Sequence, residues 1–280
     1  DENDVNEWVE LVWDYAKDPR NATLAIPYRY IEDETGPNID QKVSTDVMVA
    51  FAKRCLEENV NLADKLLGYY TMIDEPDMYG SAEHVEAVMS RVRAAIEDAA
   101  TIIEGEPGDV ELKAEIAASL RDMVTVVPVA SYNEKMAGSI DTWCPQIQNY
   151  DSEEERAKFD SDGEKWWYTC FGPSYPFASY TIDASGTFPR ILDWQAEKFG
   201  ITGNLYWAVS YYQNENGTYV EDYYQSPTRT CDINGEGFLF YPGKPYGLDE
   251  PVGTLRLQSA RDGIEDKELL LAIREGYAAL

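Results

Sequence analysis

Apolar residues along this chain fall into helical and strand-like runs that alternate. Val5, Trp8, Val9, Val12 and Trp13 recur at helical spacing over residues 4–17, and Asp18-Pro19 closes the run. Thr23-Leu-Ala-Ile-Pro-Tyr-Arg29 then reads as a strand, and the acids, Gly36 and Pro37 of 31–41 as a loop. A helix over 44–58 carries Val47, Val49, Phe51, Ala52, Cys55 and Leu56, and an apolar strand follows over 66–73. Residues 81–104 make the longest helical pattern, with Val85, Val88, Met89, Val92, Ala95 and Ile96 on one face. Gly105 and Pro107-Gly108 break it before a helix at 109–121 and the β-branched strand 124–130. Further strands are expected near 138–144, 166–171 and 204–210, with helices at 152–162, 188–199 and 262–277. Residues 211–253 form a long excursion rich in Tyr, Gly and Asp, with a hairpin expected around Gly237-Phe-Leu-Phe-Tyr-Pro242.

Strands separated by helices at this spacing predict βα units and a parallel sheet, hence an α/β fold of the (β/α)8 type over residues 1–280. Six strands are legible where a closed barrel has eight. Either two are hidden or the chain lacks the first two, and residues 1–22, which offer only a helix, favour the second. An opened barrel exposes strand edges and core, so a missing N-terminal fragment is expected as a partner of what reads as the C-terminal part of a longer protein. The start at Asp1, without an initiator methionine, fits a processed protein or an excerpt.

Composition narrows the function classes. A chain of 280 residues with 44% hydrophobic content buries a sizeable core, and no apolar run approaches the roughly 20 residues of a membrane span. A formal charge of −29 excludes nucleic acid and anionic membranes as expected partners, and fits a secreted or cell-surface setting better than a cytoplasmic one. The 20 tyrosines and 7 tryptophans suit sugar-binding clefts and ordinary cores alike. Cys55, Cys144, Cys170 and Cys231 lack metal-site or scaffold spacing and read as buried thiols. With His84 as the lone histidine, reading as a plain helix residue, neither a Ser-His-Asp triad nor a metal site is expected, and no cofactor. Asn21-Ala-Thr23 and Asn216-Gly-Thr218 match glycosylation acceptors.

The candidate chemistry lies in Leu66-Leu-Gly-Tyr-Tyr-Thr-Met-Ile-Asp-Glu-Pro76. Pro76 ends the strand and drives Glu75 out of the helical region, so Asp74 and Glu75 fall at a strand's carboxyl mouth, where α/β barrels carry their chemistry. Neighbours on a strand point to opposite faces, so both acids share one pocket only if the backbone twists at this exit. Two carboxylates roughly 5 Å apart at an effective dielectric near 20 repel by about 3 kcal/mol, or roughly 2 pKa units, which suits an acid that keeps its proton near neutral pH. An acid-rich surface turn has the same pattern. Gly138-Ser-Ile-Asp-Thr-Trp-Cys-Pro145 repeats the form of strand, carboxylate, aromatic and proline stop.

Seven short motifs then agree in order with one family. Ile73-Asp-Glu-Pro76, Asp141-Thr-Trp-Cys-Pro145, Lys165-Trp-Trp-Tyr-Thr-Cys-Phe-Gly-Pro173, Arg190-Ile-Leu-Asp-Trp194 and Gly203-Asn-Leu-Tyr-Trp207 are the first five. Gly235-Glu-Gly-Phe-Leu-Phe-Tyr-Pro242 and Leu255-Arg-Leu-Gln-Ser-Ala-Arg-Asp-Gly-Ile-Glu-Asp266 complete them. From about residue 66 onward the chain resembles the DUF4091 family, the catalytic part of glycoside hydrolase family 123. Gln258 stands where relatives commonly hold an acid.

The resemblance implies a (β/α)8 barrel, normally behind a β-sandwich domain, that hydrolyses β-linked N-acetylgalactosaminides in a glycan or glycolipid. It also implies retaining, substrate-assisted catalysis, in which the 2-acetamido oxygen is the nucleophile and an oxazoline the intermediate. Glu75 then protonates the leaving oxygen and later activates water, while Asp74 accepts the acetamide N–H. Trp143 and Trp207 at strand ends are candidates to floor the sugar, Asp141 and Tyr168 to bind its hydroxyls, and Tyr28 is a further candidate; each aromatic fits barrel core as well. Arg256, Arg261 and Asp262, ahead of the last helix, suit a structural ion network better than substrate contact. Two other readings stay open: a retaining glycosidase with a protein nucleophile such as Asp141, and a glycan-binding or structural barrel without catalysis.

Overall fold

The computed structural model describes residues 2–159, 163–211, 227–228 and 233–278. These fall into two compact units, Asp1–Trp143 and Cys144–Leu280. Cys231, the acceptor at Asn216 and much of the 211–253 excursion lie outside the described residues.

The first unit begins with helix α1 (Glu2–Lys17) and the short strand β1 (Leu24–Ala25), which keeps only the start of the expected 23–29 strand. The stretch 31–41, expected as a loop, is instead a hairpin of β2 (Tyr30–Asp33) and β3 (Gly36–Ile39). Its turn chemistry explains the difference. Asp33 Oδ1 accepts from Thr35 N at 2.7 Å and from Thr35 Oγ1 at 2.6 Å, and Gly36 takes a left-handed φ of 99°. Helix α2 (Gln41–Glu57) follows, capped by Asp40, whose side chain accepts from Val43 N at 3.1 Å.

Strand β4 (Leu66–Tyr69) stops four residues short of the expected 66–73, because Thr71–Ile73 winds into one 3-10 turn. After it come α3 (Pro76–Tyr79), α4 (Ala82–Gly105), α5 (Val110–Arg121), β5 (Val124–Val129) and β6 (Thr142–Pro145). The sheet order is β1-β4-β5-β6, with β1 parallel to β4 and β4 parallel to β5. Gly68 is required where β4 meets β5: a Cβ there falls 2.7 Å from Thr125 Oγ1. Val88, Met89 and Val92 of α4 are buried together with Met48 and Phe51 of α2, and Trp13 sets its ring edge against Phe51 at 5.5 Å.

The second unit holds α6 (Glu153–Phe159), β7 (Trp166–Thr169), α7 (Phe188–Phe199), β8 (Gly203–Tyr206), β9 (Phe240–Tyr241), β10 (Val252–Gly253) and α8 (Leu255–Ala278). Strands β7 and β8 pair in parallel from Trp166↔Gly203 to Thr169↔Tyr206, and Gln146 bridges Tyr168 in parallel. Trp167, Leu192, Ala196, Ile201 and Leu239 form the core between this pair and the helices. The hairpin expected around 237–242 is formed by β9 and β10, with Phe240–Tyr241 antiparallel to Val252–Gly253. Helix α8 starts seven residues before the expected position 262. Consequently Arg256 is a buried helix residue donating to backbone carbonyls, and Arg261 pairs with Asp262 at 2.8 Å on the surface. Arg190 of α7 grips Asp266 of α8 through two bonds of 2.5 and 2.9 Å.

Candidate active site

Asp74 and Glu75 stand just beyond the carboxyl end of β4. Asp74 is extended (φ −80°, ψ 129°), and Glu75 turns left-handed (φ 45°, ψ 50°) before Pro76 opens α3. That reversal is the twist that two neighbouring acids need in order to face one space. A left-handed non-glycine residue costs roughly 1–2 kcal/mol, so the surroundings must hold it. Glu75 N donates to Pro128 O on β5 at 3.0 Å. Asp77 of α3 accepts from Ala130 N, Ser131 N and Ser131 Oγ at 3.1, 2.8 and 3.1 Å, tying the acid turn to the loop after β5.

The preceding 3-10 turn is held from two other elements. The Tyr28 hydroxyl lies 2.6 Å from Thr71 Oγ1 and accepts from Thr71 N at 3.1 Å, and its ring packs on Tyr70 at 5.2 Å. Tyr28 therefore supports the acid turn. His84, expected to be a plain helix residue, sets Nε2 3.1 Å from Met72 O and Nδ1 3.3 Å from Thr35 O, joining the turn to the hairpin.

Desolvation perturbs Asp74. Protein crowded around the Asp74 carboxyl pushes it up to about 6; the neighbouring Glu75 charge adds to this, and a hydrogen bond from the Tyr69 hydroxyl opposes it. Asp74 is exposed, so it is an acid within reach of a substrate rather than a core residue.

The other candidates divide. Trp143 on β6 is half-buried and stacks on Tyr132, beyond the end of β5, at 5.1 Å. Asp141 precedes β6, at its amino end rather than its mouth, and its two oxygens take Arg93 Nη2 at 2.7 Å and Nε at 3.1 Å. That bidentate grip by a helix arginine matches a structural carboxylate. In the second unit Tyr168 is 3% exposed within β7, which matches core. Trp207, just past β8, is 38% exposed, and its indole Nε1 donates to the carboxylate of Glu236.

Sequence reasoning passed over Tyr69, Asp77, His84 as an anchor, and Glu236. Only Glu236 carried a signal, as an acid between two glycines ahead of an apolar Phe-Leu-Phe run. Among the described residues no cluster of three His, Cys, Asp or Glu is placed to hold a metal, and no helix is long and apolar enough to cross a membrane.

The fold is thus an α/β framework with parallel strands, and two neighbouring carboxylates stand just beyond the end of β4. Residues 28–273 match the model for the glycoside hydrolase 123 catalytic domain, and the chain belongs to that family. It is a glycosidase, and its substrate is a carbohydrate. No curated protein matches the chain.

Proposed function

We propose that the enzyme removes terminal β-linked N-acetylgalactosamine, or another 2-acetamido sugar, with retention and through an oxazoline intermediate. The observation that carries this is the adjacency of the two acids on one turn. A retaining enzyme with a protein nucleophile needs carboxyls roughly 5–5.5 Å apart on opposite faces of the sugar, which sequence neighbours are poorly placed to provide. The nucleophile is therefore the substrate's own acetamide oxygen. It attacks C1 as Glu75 gives its proton to the leaving oxygen, and Asp74 accepts the acetamide N–H and balances the developing positive charge. Water then adds to C1, returning a proton to Glu75 and opening the oxazoline. The parallel pairings β1-β4-β5 and β7-β8 support a (β/α)8 type of barrel as the framework.

A second reading has its own observation. Desolvation raises Asp74 to about 6, so Asp74 is also suited to be the proton donor. Charge state separates the two. A residue that balances the positive charge on the acetamide must be ionised, so kcat/KM rises with pH through about 6; a donor must be protonated, so kcat/KM falls above about 6.

Aryl β-glycosides of N-acetylgalactosamine, N-acetylglucosamine and galactose test the proposal. Both acetamido substrates are expected to be preferred over galactose, and Glu75→Gln is expected to lose about 10²–10⁴-fold in kcat. Equal turnover of the galactoside contradicts neighbouring-group catalysis, and binding without turnover favours a non-catalytic barrel.

A further inference from the structure

Trp207 is gripped on three sides. Its indole N–H donates to Glu236, a Cβ on Gly237 falls 2.6 Å from its Cζ2, and the Tyr211 ring lies 5.0 Å away. The ring is nevertheless 38% exposed. The carboxylate that holds it is 0% exposed.

Glu236 sits in a loop shaped to receive it. Gly235 and Gly237 on either side have left-handed φ values of 78° and 79°. Arg256 fixes the same loop by donating to Gly235 O and Phe238 O, each at 2.7 Å, and to Tyr180 O. The second carboxylate oxygen takes the Tyr206 hydroxyl at 3.2 Å, and that hydroxyl accepts from Gly237 N at 2.9 Å. Burying a carboxylate costs several kcal/mol, and an apolar side chain would fill the same volume without that cost. The carboxylate also faces the charge of the buried Arg256, and its bond to Trp207 is a charge-assisted one that fixes the plane of an exposed indole.

We infer that Glu236 is a positioning residue of a sugar-binding platform, locking the Trp207 ring so that its open face takes the C–H face of a pyranose. The inference rests on the glycosidase reading above. Stacking on an aromatic face holds ground state and transition state alike, so its loss is read in KM and Kd rather than in kcat. Glu236→Gln keeps the volume and an acceptor oxygen but loses the charge. It is expected to raise KM, and the calorimetric Kd for N-acetylgalactosamine, about tenfold with kcat within about twofold.

The decisive comparison is the same change in a Trp207→Phe background. With no indole N–H left to hold, Glu236→Gln is expected to leave KM and Kd within about twofold there. A purely structural role predicts a lower Tm with Kd unchanged, or the same loss of affinity in both backgrounds, and either result overturns the inference. If Glu236→Gln does not fold, the benzothiophene analogue of tryptophan at position 207 removes only the N–H. It is expected to lose the same affinity, and unchanged affinity overturns the inference. Kd is measured without turnover, so an enzyme that binds N-acetylgalactosamine but cleaves no acetamido glycoside refutes the proposed reaction and leaves the platform standing. Failure of the unaltered enzyme to bind N-acetylgalactosamine, N-acetylglucosamine or galactose refutes the platform.

Discussion

Asp74→Asn sets stability against function at one atom. The folded surroundings push the Asp74 carboxyl from 3.8 up to about 6. At about 1.36 kcal/mol per pKa unit, the full shift corresponds to roughly 3 kcal/mol of destabilisation by the charged form. Asp74 is substantially open to water, however, and solvent screening reduces the figure to about 1 kcal/mol. The sign follows from linkage. The folded chain holds the proton more tightly than the unfolded one, so the cost is absent below 3.8 and fully present above about 6. Asparagine keeps an acceptor for the Tyr69 hydroxyl and removes the charge. The variant is therefore expected to melt about 2–4 °C above the parent at pH 8 and to match it at pH 3.5. Activity on acetamido substrates falls about 10²–10³-fold in the same protein. Thermal melts of both proteins at the two pH values read the effect. No gain at pH 8, or an equal gain at pH 3.5, refutes the assignment of a charge-strained carboxylate.

The remaining predictions concern the frame around the acids. Asp77→Ala removes three hydrogen bonds to Ala130 and Ser131, so it is expected to cost about 1.5–3 kcal/mol in a denaturant titration and to lower kcat by loosening the Glu75 turn. Gly68→Ala drives a methyl to 2.7 Å from Thr125 Oγ1 between β4 and β5, and is expected to cost about 1–3 kcal/mol by the same titration; a neutral result contradicts the close approach. The pH profile of kcat/KM is expected to show its acid limb near 6, the value at which Asp74 ionises, and Asp74→Asn is expected to abolish that limb.

Much of the framework is legible in the sequence because local and tertiary preferences agree. The apolar stripe from Val85 to Ile96 is the buried face of α4, and Phe188 and Phe199 bound α7 where the helical pattern places them. Expectations miss where side chains override propensity. The hairpin at 30–39 depends on an Asp33–Thr35 turn within an acid-rich run that reads as loop, and β4 is cut short by a 3-10 turn anchored from Tyr28 and His84. The acid pair was legible because two neighbouring acids and a proline follow an apolar run, although β4 itself ends earlier, at Tyr69. Its support was not: Asp77 and His84 act on residues about fifty positions away or on backbone carbonyls, and no local pattern encodes such bonds. Asp141 illustrates the converse, since the strand–acid–proline form recurs there while the carboxylate stands at the amino end of β6 in the grip of Arg93.

The central claim is that the nucleophile belongs to the substrate. Its most direct test is kcat/KM for aryl β-N-acetylgalactosaminides whose acetamide carries zero, one, two or three fluorines. Fluorine drains the carbonyl oxygen of electron density without changing the leaving group, so attack by that oxygen predicts a steep fall along the series. A flat series contradicts the account and returns the nucleophile to the protein.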